Sequence, residues 1–333
     1  MKMMLKTASR AIAICFLACN VIACNSNDSN NTLVVYVSAD DKIAREVFNA
    51  YTEKTGVAVE WVGDTELTKT TALVQRLKRE KNNPIADVFW SSEVLGTIQL
   101  ADDGVLADCK QESLKEWPKN YRDEEYRWFG FSPRARVIAY DPEKIAKAEL
   151  PLYWWEYGEA VMADPRFGTT LTHVSVMAEY PSEAEALFIS MEKRPLLGGN
   201  SATVQAVVDG SARYAMTDSD DVHAAIARGD SIAMHFPRHH AGSGGGTLLI
   251  PNTVAIVKHC DHPQLAEDFV IFLLSDEVAT LLAKSTSHNI PIQPTVQAMF
   301  PELIVEDPLQ VNFGTAASSS VRQVSSVMEM LSR

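Results

Sequence analysis

Thr32-Leu33-Val34-Val35-Tyr36-Val37-Ser38-Ala39-Asp40-Asp41 opens the folded part of the chain. Its first six residues form a short β-branched and apolar run without alternation. Such a run suits a strand covered on both faces, as in a parallel sheet. Apolar residues at helical spacing follow from Ile43 to Tyr51, and Gly56 ends that helix. Val57–Val62 reads as the second strand. A helix over Leu67–Lys81 then leads through Asn82-Asn83-Pro84 to a third strand, Ala86–Trp90. Strands alternating with helices of this length make βαβ units. No glycine-rich phosphate fingerprint follows the first strand, so a dinucleotide-binding fold has no support.

Working outward, Arg136–Tyr140 reads as a strand that crosses into a second α/β region. That region holds the aromatic stretch Tyr153–Tyr157, a helix over Thr169–Ala178 and the segment Thr203–Asp209. Gly242-Ser243-Gly244-Gly245-Gly246 breaks the pattern. The strand Thr247–Ile250, the run Thr253–Val257 and a helix from Pro263 to Leu274 follow. About 310 residues remain beyond the N-terminal segment, more than one core holds comfortably, so two lobes are expected.

The N-terminus carries Lys2, Lys6 and Arg10, then the apolar run Ala11–Ala23. A bilayer core needs about 20 apolar residues, so the run is too short to span and reads as a signal peptide over 1–23. Val21-Ile22-Ala23-Cys24 resembles the lipobox of bacterial lipoproteins, which implies acylation of Cys24. The polar tract after it, Asn25 to Asn31, suits a flexible tether over 24–32. Asn25 leaves open which membrane holds the anchor. The chain has 30 basic and 43 acidic residues. Without the three signal cations the net charge is −16, which argues against nucleic acid and anionic lipid as partners. Of five cysteines, only Cys109 and Cys260 lie beyond the anchor; an exported protein could pair them, and spacing alone leaves this open.

In order along the chain, "LVVYVSADD", "KTGVAVEWVGDT", "NNPIADVFWSSE", "WFGFSPRARVIAYDPEKI", "FGTTLTHV", "GNSATVQAVVDG", "YAMTDSDDVHAA" and "GTLLIPNTVAIVK" resemble the ferric-iron-type periplasmic solute-binding proteins of ABC importers. The resemblance runs from about Leu33 to Pro294. It implies a two-lobe periplasmic-binding-protein type II fold, each lobe a mixed, mostly parallel sheet flanked by helices, with the ligand cleft between lobes. Lobe one is expected over 33–133 and 248–290, and lobe two over 134–247 and 291–333. It also implies hinge closure on the ligand, docking on an ABC permease in the inner membrane, a monomer, and a metal ion such as Fe(III) carried as ligand rather than as cofactor. The two adjacent tyrosines typical of iron-binding members fall here on Asp220 and Asp221. A frequent histidine falls on Asp40, and a family carboxylate lies near Glu93.

Read by their chemistry, Asp40, Glu93, Asp218, Asp220 and Asp221 are hard oxygen donors for a cation, with His173 or His223 able to add imidazole. Asp218-Ser219-Asp220 could equally cap a helix starting near Asp221. Trp90, and Ser91 after it, end a strand whose carboxyl edge should face the cleft. An anion would use other groups: Thr169, Thr170 and the helix start around them, with Arg134, Arg136 and Arg238 as cationic forks. Together the two sets would hold a metal–anion complex or a zwitterion. A small organic or phosphate-like anion, or a ligand-sensing lipoprotein, are the alternatives. Catalysis is disfavoured: no G-x-S-x-G, H-E-x-x-H or C-x-x-C pattern occurs, and adjacent Asp220 and Asp221 diverge rather than oppose. His259 and His262 are expected on a surface turn.

Overall fold

The computed structural model describes residues 31–64, 70–191 and 194–332. The signal, Cys24, most of the tether and the start of the helix expected from Leu67 lie outside the described residues. The first lobe begins with β1 (Thr32–Val37), α1 (Asp41–Thr55), β2 (Ala58–Gly63), α2 (Thr71–Arg79), β3 (Val88–Ser91), α3 (Leu95–Asp102) and β4 (Leu106–Ala107). Asp40 caps α1 by accepting from the Lys42 amide, and Gly56 closes it in the left-handed region at φ 75°. The buried stripe Ile43, Ala44, Val47, Phe48 and Tyr51 is the face seen in sequence. β5 (Phe129–Tyr140) then runs out of this lobe. It is longer than expected and buried throughout.

The second lobe contains β6 (Ala160–Met162), α4 (Gly168–Val176), α5 (Pro181–Ser190), α6 (Asn200–Val208), β7 (Tyr214–Asp218), α7 (Ser219–Arg228) and β8 (Ala233–His235). β9 (Leu249–Val257) returns as one strand where the sequence suggested two runs. α8 (Pro263–Leu273), α9 (Asp276–Lys284), the short α10 (Pro294–Gln297) and α11 (Phe313–Leu331) complete the chain.

The sheet is ordered β2-β1-β3-β9-β5-β7-β6, with β4 on β9 and β8 on β5. The βαβ units pair in parallel, β1 with β2 and β3, and β6 with β7. The crossing strands β5 and β9 pair antiparallel with each other and with β3 and β7. β5 shifts register between Phe131 and Arg134, and Ser132 at this bulge has φ 39°. The fold is thus the mixed two-lobe α/β architecture expected, with the strands that join its halves also forming the middle of the sheet.

One core lies under α1, α8 and α9, where Tyr51 meets Phe269 edge-on at 5.0 Å. Trp90 belongs to it: it is 1% exposed and packs on Phe48 and Phe131. The strand does end near the cleft, but the alternation of its side chains turns this indole inward. A second core under β7 includes Val204, Val207 and Val222. α11 packs against α4 and α3 together, spanning both lobes. Cys109 and Cys260 are both free, and burial raises both thiols to about 11. His262 is not a free surface group, because its amide and Nδ1 face buried Asp87 at 3.0 and 3.2 Å.

Phe269→Ala would open a cavity beneath α1 and should cost about 3–5 kcal/mol. Urea denaturation would show this as a lower midpoint at unchanged slope.

Candidate functional site

Between the lobes lies a cleft of about 360 Å³. Asp40, Lys42 and Ser92 line it from the first lobe, and Thr286 and Ser287 from the segment after α9. The second lobe contributes three helix starts. α4 enters through Gly168, whose φ of 56° favours glycine. α6 enters through Gly198-Gly199-Asn200, and α7 through Asp218 to Asp221. Neither α4 nor α6 has a side-chain cap, and the first residues of both helices line the cleft.

At the base sits a buried ion pair. Arg136 and Asp218 face each other in register on β5 and β7, Nη1 to Oδ1 at 2.8 Å, with both side chains at most 3% exposed. The second Asp218 oxygen accepts from the Thr169 hydroxyl and from Asn200 Nδ2 at 2.8 Å. Asp218 stands at the cap position of α7 but makes no cap bond, its carboxylate being drawn to the guanidinium. Sequence reasoning did not single out Asn200. Its signals were the diglycine before it and its place in the segment GNSATVQAVVDG.

Arg134 is the second strut. Nε forms an ion pair with Asp220 at 2.8 Å without hydrogen-bond geometry, Nη2 donates to Asn252 Oδ1 at 2.9 Å, and Nη1 donates to the Ser92 carbonyl. Asp221 accepts from Ser201 at 2.8 Å. Ligand oxygens of Asp218, Asp220 and Asp221 all fall within 4.8 Å of one another. Like charges at that separation repel by about 3–4 kcal/mol per pair at an effective dielectric of about 20. The arginines offset part of this, and a cation could offset the rest.

Of the residues singled out in sequence, Asp40, Arg134, Thr169, Thr170, Asp218, Asp220 and Asp221 line the cleft together. The others do not. Ser91 is fully buried, its hydroxyl accepting from the Glu93 amide. Glu93 turns away to cap α3, accepting from Leu95 and Gly96 amides and from the Thr172 hydroxyl of α4 at 3.1 Å. Burial raises its pKa against those hydrogen bonds. The uncapped α3 amides compete for this carboxylate, which explains why it is not a free metal donor. Arg136 and His173 lie beneath the cleft, with His173 Nδ1 3.4 Å from Arg136 Nε. Arg238 lines another cavity and pairs with Asp307 at 2.9 Å. His223, on the flank of α7 away from its start, packs against His288 with ring centroids 4.6 Å apart and planes tilted by 46° in that same cavity.

Residues 37–280 match the family model of the bacterial extracellular solute-binding proteins. The chain belongs to this family. Iron uptake protein A1 of Synechocystis sp. is 25% identical over 285 residues, covering 78% of this chain and 75% of that protein. The ferric binding protein from Campylobacter jejuni superposes at a TM-score of 0.79 with 21% identity, covering 90% of this chain and all of the other. AfuA of Actinobacillus pleuropneumoniae, solved with exogenous fructose-6-phosphate bound, superposes at 0.75 with 17% identity, covering 90% and 98%. The chain is therefore an extracytoplasmic, periplasmic solute-binding protein of transport type and not an enzyme. The same fold serves a ferric binding protein and a sugar-phosphate complex, so ligand identity rests on the side chains.

Arg136→Ala would leave Asp218 charged and buried without its cation, and should destabilise the protein by about 3–5 kcal/mol. The double change Arg136→Met with Asp218→Leu removes both charges and should recover most of that loss in chemical denaturation.

Proposed function

We propose that this protein is the receptor of an ABC importer and captures an iron-type metal ion, accompanied by a small anion, between its lobes. The observation that carries the reading is the convergence of three carboxylates within 4.8 Å beside two uncapped helix starts. Asp220 and Asp221 stand where iron-binding relatives are expected to place tyrosines, so the donors are carboxylate rather than phenolate. Hard oxygen donors suit Fe(III) and also divalent cations. Asp218 serves as the buried, anchored member, Asp220 and Asp221 as the less buried donors, and Asp40 approaches from the opposite lobe. Thr170 and the amides at the starts of α4 and α6 seat the anion. Contact with both lobes would favour closure, and the closed form would dock on the permease as a monomer. We also propose that Cys24 carries the lipid that tethers the protein, with the lobes divided as the sequence suggests.

A second reading is a phosphate-like or carboxylate ligand, alone or as a zwitterion. The observation favouring it is that Asp218 and Asp220 are already paired with Arg136 and Arg134, which lowers the negative charge available to a metal.

Elemental analysis and native mass spectrometry of the protein as purified, without chelator, should find one metal ion per chain. In calorimetry with ferric citrate, Asp220→Ala combined with Asp221→Ala should weaken binding about 100-fold, and Thr170→Val about tenfold. An organic mass without metal would establish the second reading. Unchanged binding in both variants would remove the cleft from consideration.

The anchor is tested separately. Detergent-phase partitioning of the full chain expressed in a bacterium should be lost in Cys24→Ser, and partitioning that persists in this variant would refute acylation there.

A further inference from the structure

Behind the cleft, two histidines that the binding reading does not use form a chain leading away from Arg136. We propose that His173 and His239 are positioning residues, a one-way hydrogen-bond relay that fixes the Arg136 guanidinium and through it the Asp218 carboxylate. This deepens the cleft reading and rests on it only for the effect on ligand affinity.

The direction of each step is forced by chemistry. A guanidinium donates and never accepts, so Arg136 Nε, 3.4 Å from His173 Nδ1, requires a lone pair on that nitrogen. A neutral His173 then carries its proton on Nε2, which lies 3.1 Å from His239 Nε2. One of these two nitrogens must accept, so His239 presents a lone pair there and holds its own proton on Nδ1. That nitrogen is 3.2 Å from the Gly246 carbonyl oxygen, an acceptor only. Three contacts thus select one tautomer for each ring.

The surroundings hold the rings in place. Trp154 stacks on His239 at 5.7 Å with 16° between planes and meets His173 at 5.0 Å. The far end is equally fixed. Gly246 lies so close to Asp307 that a Cβ would sit 2.0 Å from its carbonyl oxygen, and Asp307 also takes Arg238 and the Gly244 amide. Burial lowers the pKa of both imidazoles, that of His239 to about 3, which keeps a second proton off the two accepting nitrogens, Nδ1 of His173 and Nε2 of His239. With Nε so held, the Arg136 Nη1 reaches Asp218, Thr169 and Asn200 from one orientation.

Long-range proton–nitrogen NMR of the ligand-free full protein tests the relay without any ligand. The expected result is His173 protonated on Nε2 only, His239 on Nδ1 only, and both neutral from pH 5 to 8. The reverse tautomers, or a positive charge on either ring at pH 6, would overturn the proposal. His239→Ala should speed solvent exchange of the Arg136 Nε proton at least tenfold. His239→Gln, whose amide can accept from His173 and donate to Gly246, should restore slow exchange. Thermal unfolding would check that both variants are folded. Where ferric citrate binds the unaltered protein, His239→Ala should weaken it about tenfold and His239→Gln within twofold. Exchange and affinity both unchanged in His239→Ala would refute the positioning role. Correct tautomers in a protein that fails to bind ferric citrate would sustain the relay and overturn only the metal reading.

Discussion

The arrangement of the cleft depends on one buried ion pair. Arg136 and Asp218 are register partners on adjacent antiparallel strands, so the sheet itself sets their separation. Removing two charges from water is expensive and is offset only when the remaining donors and lone pairs are also satisfied. Here they are: Thr169, Asn200 and His173 complete the shell. These partners come from α4 and α6, so satisfying one pair of charges draws two helix starts to the same point. The anion seat and the acidic group are in this sense consequences of a single electrostatic demand.

Much of the fold was legible. The β-branched runs at Thr32–Val37 and Val57–Val62, the Ile43–Tyr51 stripe and the capping Gly56 state their elements through local periodicity, and the structure places them within a residue or two. Parallel pairing followed from the βαβ order. Less legible was the crossing region. β9 reads as two runs because Pro251-Asn252 interrupts the apolar pattern, yet Asn252 earns its place there by receiving Arg134 and reaching the Ser132 carbonyl.

The site was legible in its residue types and not in their orientation. Glu93 and Asp218 are both carboxylates at the end of a strand and the start of a helix. One turns to cap its helix and the other turns from its helix to an arginine. Nothing local separates them; the difference is a guanidinium 82 residues away in sequence. Arg238 was plausible by its neighbours His239 and His240, but the glycine-rich loop curls it toward Asp307. Asn200 was missed because an asparagine after two glycines looks like an ordinary turn.

Arg134 carries a mechanical implication. Its three nitrogens hold a carbonyl of the first lobe, a side chain of a crossing strand and a carboxylate of the second lobe. A guest that competes for the Asp220 oxygens would loosen one guy-rope of three, so tension at the joint would change the moment the cleft fills. The joint would thereby sense occupancy directly, without any message passing through the helices around it.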